Sequence, residues 1–166
     1  MSVPRDATEV GRHSPAGWRA PVTLTLCLMG LLVSSYTMWI HVHHAVPACV
    51  DAGPVDCQAV LTSPQSVVVG VPLPAFGLLF FVGMGVLCLP AAWRTSQAWV
   101  HLLRLAGVLA GVGSVIYLVA AELFTIRKIC LWCSGVHLIT LALFIIVVTA
   151  TPGLLERRRP EEPAMA

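Results

Sequence analysis

Charge is what this sequence has least of. Only 11% of its 166 residues are Asp, Glu, Lys or Arg, against a usual share of about 25%. Hydrophobic residues reach 57%, above the usual share of about 45–50%. One soluble core of this size has no room for so much apolar surface, so the solvent must be a bilayer. Other things are missing too. There is no internal repeat, no Gly-rich phosphate loop and no basic patch of the kind nucleic acids require, which argues against nucleotide and nucleic-acid binding.

What is present is apolar sequence in long runs. Four stretches are almost free of charged residues: Pro21–Ala48, Cys57–Trp93, Leu105–Ile126 and Ile129–Leu155. A helix crossing about 30 Å of hydrocarbon needs about 20 apolar residues. Each stretch can supply one crossing, with spans near 21–41, 74–92, 102–124 and 131–151. The expected fold is therefore an all-α integral membrane bundle of four transmembrane helices, occupying residues 21–151. An N-terminal signal peptide is the rival reading of the first run, ending at Val46-Pro47-Ala48-Cys49. That run exceeds the ~7–15 residues of a signal h-region, and His41, His43 and His44 separate it from the supposed cleavage site. An uncleaved first helix is preferred.

The few charges orient the bundle. Arg5, Arg12 and Arg19 precede the first span, Arg94 and Arg104 flank the second connection, and Arg157, Arg158 and Arg159 follow the fourth. Only Arg127 and Lys128 fall on the other side, and His41–Leu73 contains no Lys or Arg. The positive-inside rule then makes both termini cytoplasmic. Residues 1–20 and 152–166 read as cytoplasmic tails, the first of them flexible. The first and third connections face outward. The first is the one long loop, and long loops in compact proteins are usually functional or disordered. It carries Cys49, Asp51, Asp56 and Cys57, then the apolar Val67–Phe76 segment with Pro72 and Pro74, expected along the membrane surface or over the bundle mouth.

This orientation sorts the six cysteines. Cys27 and Cys88 fall near the cytoplasmic ends of spans one and two and read as small buried hydrophobes. Cys49, Cys57, Cys130 and Cys133 share the outer side, where disulfides form and persist. Cys130-Leu131-Trp132-Cys133 opens the fourth span. Two cysteines three apart in a first helical turn share a face and can close a disulfide, with the N-terminal one expected to be the more exposed. The helix N-terminus and the adjacent Arg127 and Lys128 favour thiolate there, which makes the disulfide a better oxidant. His137 continues the same face one turn deeper, and Trp132 points elsewhere. Glu122, an ionisable residue inside span three, is a functional suspect by its position.

Three readings of the four cysteines stay open at this point. Four thiolates can bind structural zinc, although such sites favour two to four residues between paired ligands, and seven separate Cys49 from Cys57. Static disulfides could staple the loop of a non-enzymatic scaffold or transporter subunit. A redox relay could pass electrons from soluble thiols to a carrier in the lipid.

The order of motifs is similar to that of the vitamin K epoxide reductase family, in the form of a bacterial homologue. The likeness runs over about residues 20–150. It rests on a cysteine pair with seven residues between in the first outer loop, Ser63 six residues after Cys57, and Phe76-Gly77 entering span two. Gly113-Ser114-Val115 and Tyr117 precede Cys-Leu-Trp-Cys in the same order. The resemblance implies a membrane thiol–disulfide oxidoreductase in the bacterial inner membrane. Its electron acceptor would be a quinone of the menaquinone or ubiquinone type, and its partner a thioredoxin-like secreted or periplasmic thiol oxidase. It implies that Cys133 faces the quinone, Cys130 exchanges with Cys57, and Cys49 meets the partner; no metal is implied. Ser63, Phe76, Phe80 and His137 are the expected quinone contacts. Two positions depart from the animal enzymes, Leu73 replacing an asparagine and His137 a tyrosine, which bears against epoxide as substrate. No thioredoxin-like domain lies in the sequence, so the partner is expected to be a separate protein.

Overall fold

The computed structural model describes residues 17–49 and 52–156. The expected tails lie almost wholly outside the described residues, with Arg5, Arg12, Arg157, Arg158 and Arg159, and so does Asp51. The apolar runs fold as helices because backbone groups in hydrocarbon must hydrogen bond within their own segment. Helix α1 spans Arg19–His43 and α2 is a short turn at Cys57–Leu61. Then come α3 at Leu73–Leu87, α4 at Pro90–Arg94, α5 at Ala98–Ala120 and α6 at Leu131–Glu156. A wider π-helical turn, Ala121–Ile126, extends α5. Three helical runs are long and apolar enough to cross a bilayer: Arg19–His43, Ala98–Ile126 and Leu131–Thr151.

The expected second span, 74–92, is interrupted. Helix α3 has 15 residues and so rises about 22 Å, short of the hydrocarbon thickness. The reason is Pro90, which lacks an N–H and disfavours helical backbone at Leu89. Leu89 accordingly sits at φ −56°, ψ 147°, and α4 restarts at the proline. Arg104 takes up the orphaned carbonyls, donating to Leu87 O and Ala92 O.

Small residues let α1 and α3 approach closely. Ala20, Thr23, Cys27, Gly30, Ser34 and Thr37 form a buried stripe on α1. A side chain at Gly30 would overlap the Phe81 ring, and one at Gly77 would stand 2.8 Å from Ser34 Oγ. Cys27, Phe81, Met84, Cys88, Val108, Leu143 and Val147 pack into the central core. The outer surface is also apolar: Leu32, Leu79, Leu138 and Phe124 stand exposed, the last at 79%. Such a surface suits acyl chains, not water.

Between α1 and α3 the loop is ordered in pieces. After α2, a 3-10 turn at Pro64–Ser66 leads into an antiparallel hairpin of β1, Val67–Val68, and β2, Val71–Pro72. The tight turn requires positive φ at Val69 (52°) and Gly70 (78°). The Val67–Phe76 segment is thus divided. Its first half is this hairpin, and its second half is already helix α3, because proline is well tolerated in a first helical turn.

Candidate active site

The two outer cysteine pairs meet through a backbone zipper. Asp56 N–H donates to Ile129 O at 3.1 Å, and Ile129 N–H donates to Pro54 O at 2.9 Å. This parallel bridge of Val55 with Ile129 brings the segment carrying Cys57, two residues on, alongside Cys130, one residue on. Lys128 Nζ adds a bond to Gly53 O at 3.1 Å. Asp56 then caps α2, its Oδ1 accepting from Ala59 N–H at 2.9 Å, a usual role for aspartate at an N-cap. Cys57 is the first residue of that helix. Cys57 and Cys130 both lie in one buried cluster with Ile40, Val60 and Leu61, and Cys49 and Cys133 pack at its edge.

Cys49 and Cys57 are joined by a disulfide with Cα atoms 6.1 Å apart, while Cys130 and Cys133 are free thiols. Cys130, expected to be the more exposed of its pair, is fully buried, and Cys133 is partly exposed. The zipper accounts for the reversal, since the loop lies over the first turn of α6 and covers Cys130. Cys133 N–H donates to Cys130 Sγ at 3.3 Å. The hydrogen bond from the Cys133 side chain holds the Cys130 thiol below its ordinary value, against the opposing effect of burial.

Trp132, read from sequence as pointing elsewhere, instead packs against the cluster holding Cys57 and Cys130 and lines the cavity below it, and it fastens the loop. Its Nε1–H donates to Ala48 O at 3.0 Å, and its ring lies 4.6 Å from that of Tyr36. Tyr36 Oη in turn accepts from Ala48 N–H at 3.0 Å. Two aromatic side chains therefore hold the residue before Cys49 by both its backbone groups. Tyr36 has no signal in the sequence beyond being a tyrosine near a helix end.

Beneath the cysteines lies a cavity of about 730 Å³, within the usual range of about 300–1,000 Å³ for small-molecule sites. Its walls are mostly apolar. Of the four outer cysteines only Cys133 lines it. Ser63, Phe76, Phe80 and His137 line it as well, so the residues singled out in the sequence converge on one space. Leu73 and Tyr117 also contribute to the wall. Ser63 Oγ bonds Val60 O at 2.8 Å, closing the turn after α2. Gly111 leaves the space that Phe80 fills: a Cβ there would stand 2.9 Å from the Phe80 ring and from Thr140. His137 is 7% exposed and lies one turn below Cys133 on α6. Glu122, 6% exposed, enters from the π-helical turn. It lines the cavity together with Cys133. An apolar slot with a thiol, a carboxyl, an imidazole and a hydroxyl at its edge suits a flat ring bearing polar oxygens. No group of three or more His, Cys, Asp or Glu able to hold a metal occurs among the described residues.

The family model described as Vitamin K epoxide reductase family matches residues 21–148, most of the chain. No curated protein matches it.

Proposed function

The chain belongs to the vitamin K epoxide reductase family, membrane oxidoreductases that act on disulfides, and on that premise we propose that it is a quinone-dependent thiol oxidase. In this reading a secreted or periplasmic thioredoxin-like protein gives up two electrons here. They pass to a quinone of the menaquinone or ubiquinone type in the bacterial inner membrane, which supports disulfide formation outside the cell. One observation carries the proposal: Cys57 and Cys130 share a buried cluster, whereas Cys133 alone of the four lines the cavity. That division supports a reading in which one sulfur of Cys-Leu-Trp-Cys exchanges thiols and the other delivers electrons.

The chemistry runs in balanced exchanges through mixed disulfides. A partner thiolate attacks Cys49, releasing Cys57, and the second partner thiol then frees Cys49 and leaves the partner oxidised. Cys57 attacks Cys130 of a Cys130–Cys133 disulfide and expels Cys133 as thiolate. Cys49 displaces Cys130 from Cys57, and the loop disulfide is restored. The oxidation state described above, with Cys49–Cys57 closed and Cys130 and Cys133 reduced, corresponds to this point. Cys130 and Cys133 then close to a disulfide, and a quinone held in the cavity would supply the acceptor for their two electrons and two protons. Cys133 presents its sulfur to the cavity, Phe76 and Phe80 wall it, and Ser63 and His137 offer hydrogen bonds. Glu122 carries the Cys133 proton. Leu73 and His137 supply apolar surface and an imidazole where the animal enzymes hold other groups, which favours a quinone over its epoxide.

Four crossings with both termini cytoplasmic complete the proposal, α3 and α4 together forming the second. The cysteines then face outward and the terminal segments, about residues 1–20 and 152–166, lie inside. The decisive experiment follows quinone absorbance when full-length protein in lipid vesicles meets a reduced thioredoxin-like oxidase. Cys133→Ala should abolish quinone reduction, and Cys49→Ala or Cys57→Ala should leave the partner reduced. Quinone-dependent thiol oxidation surviving in Cys133→Ala would overturn the relay and leave the loop disulfide as a staple.

A further inference from the structure

The far end of the bundle holds two cysteines that the relay does not use. Cys27 lies in the third turn of α1 and Cys88 caps α3, so both sit at helix ends opposite the loop. From Cys27 to His43 the helix rises about 24 Å, too far for exchange with the outer sulfurs. Singly, each reads as a buried hydrophobe. As a pair they are something else. They are 2% and 0% exposed and pack in one buried cluster. The backbones agree: a Cβ on Gly85 of α3 would stand 3.8 Å from Cys27 Cβ, and Cys88 is one turn further along that face.

A cation stands beside the pair. Arg104 is 1% exposed, and its guanidinium sits at the C-terminal end of α3, where Cys88 is the cap. Two of its nitrogens donate to Leu87 O at 2.9 and 2.5 Å, and the group stacks 3.9 Å from the Trp93 ring. These bonds fix the positive charge one residue from Cys88, where it would offset the negative charge of the attacking sulfur.

We propose that Cys27 and Cys88 are a second redox site, a buried dithiol that peroxide-class oxidants close into a disulfide joining α1 to the break after α3. The Cys88 thiolate attacks one peroxide oxygen, forming Cys88 sulfenic acid and expelling hydroxide. The Cys27 thiol then attacks that sulfur; the S–S bond forms, the S–O bond breaks, and the oxygen leaves as water. In sum, two thiols and hydrogen peroxide give one disulfide and two waters. Burial selects the oxidant, because peroxide is little larger than water and no protein thiol can reach either sulfur. The closed disulfide ties α1 to the end of α3.

The test uses the full chain in lipid vesicles, treated with hydrogen peroxide and then with a maleimide in denaturant, followed by mass spectrometry of unreduced peptides. The expected result is a linked peptide pair containing Cys27 and Cys88. Cys27→Ser should lose that link and leave Cys88 trapped by dimedone as sulfenic acid. Cys88→Ser should lose both signals. Retained quinone reduction shows that these near-isosteric variants are folded. Both thiols staying open to maleimide at peroxide doses that consume Cys130 and Cys133 would overturn the site. So would Cys88 sulfenic acid in the unsubstituted chain that never links to Cys27.

Discussion

Glu122 shares the cavity wall with Cys133 and His137. A carboxyl buried at membrane depth is costly and is usually retained for function. Quinol formation needs two protons delivered where the electrons arrive, and general acid–base groups contribute about 10²–10⁴ in rate. Glu122→Gln keeps the shape and hydrogen-bonding capacity but cannot carry a proton. Its quinone reduction rate should fall by about a hundredfold, while mixed-disulfide formation between Cys49 and the partner proceeds unchanged. Single-turnover absorbance separates these steps. A Gln variant reducing quinone at full rate would remove Glu122 from the mechanism.

At the scale of elements, the α1–α3 contact sets the site, because α1 bears Tyr36 at one end and α3 bears Phe76 and Phe80 along the cavity. Small residues make that contact, and Gly30 sits directly against Phe81. Leucine at position 30 would overpack a full core, which costs about 1–3 kcal/mol. Gly30→Leu should therefore lower the midpoint of thermal unfolding in detergent and weaken quinone binding together. Leucine at Gly83, on the exposed side of α3, where a Cβ meets nothing within 4 Å, should leave both unchanged. An equal effect at the two positions would mean that helix propensity, not the α1–α3 contact, is being measured.

For the whole molecule, the distribution of charge predicts a measurable orientation. Eight of ten Lys and Arg fall on one side of the proposed bundle, and such a bias holds that side in the cytoplasm. Engineered cysteines at Ser2 and Ala164, in a chain with its own six replaced by serine, should resist a membrane-impermeant maleimide in intact cells. A third at Thr62, in the outer loop, should react. Labelling of the termini from outside would reverse the bundle and turn the relay away from any secreted partner.

Hydropathy and the scarcity of charge were enough to call for a membrane protein of long helices, because the cost of burying charge in hydrocarbon depends on composition and not on contacts. The order of the cysteines likewise identified the family and grouped Ser63, Phe76, Phe80 and His137 before any of them could be seen to share a cavity. Other features depend on pairings between residues far apart in the chain. Pro90 announces a break, but only the fold brings Arg104 to the carbonyls it frees. Cys130 looked exposed at a helix start, yet it is buried because Pro54–Asp56 bonds across to Ile129. Tyr36 and Trp132 close on Ala48 across 12 and 84 residues, and Cys27 packs in one cluster with Cys88 although each reads as inert alone. Local sequence reports what a segment prefers; which distant surface covers it is decided only when the helices pack.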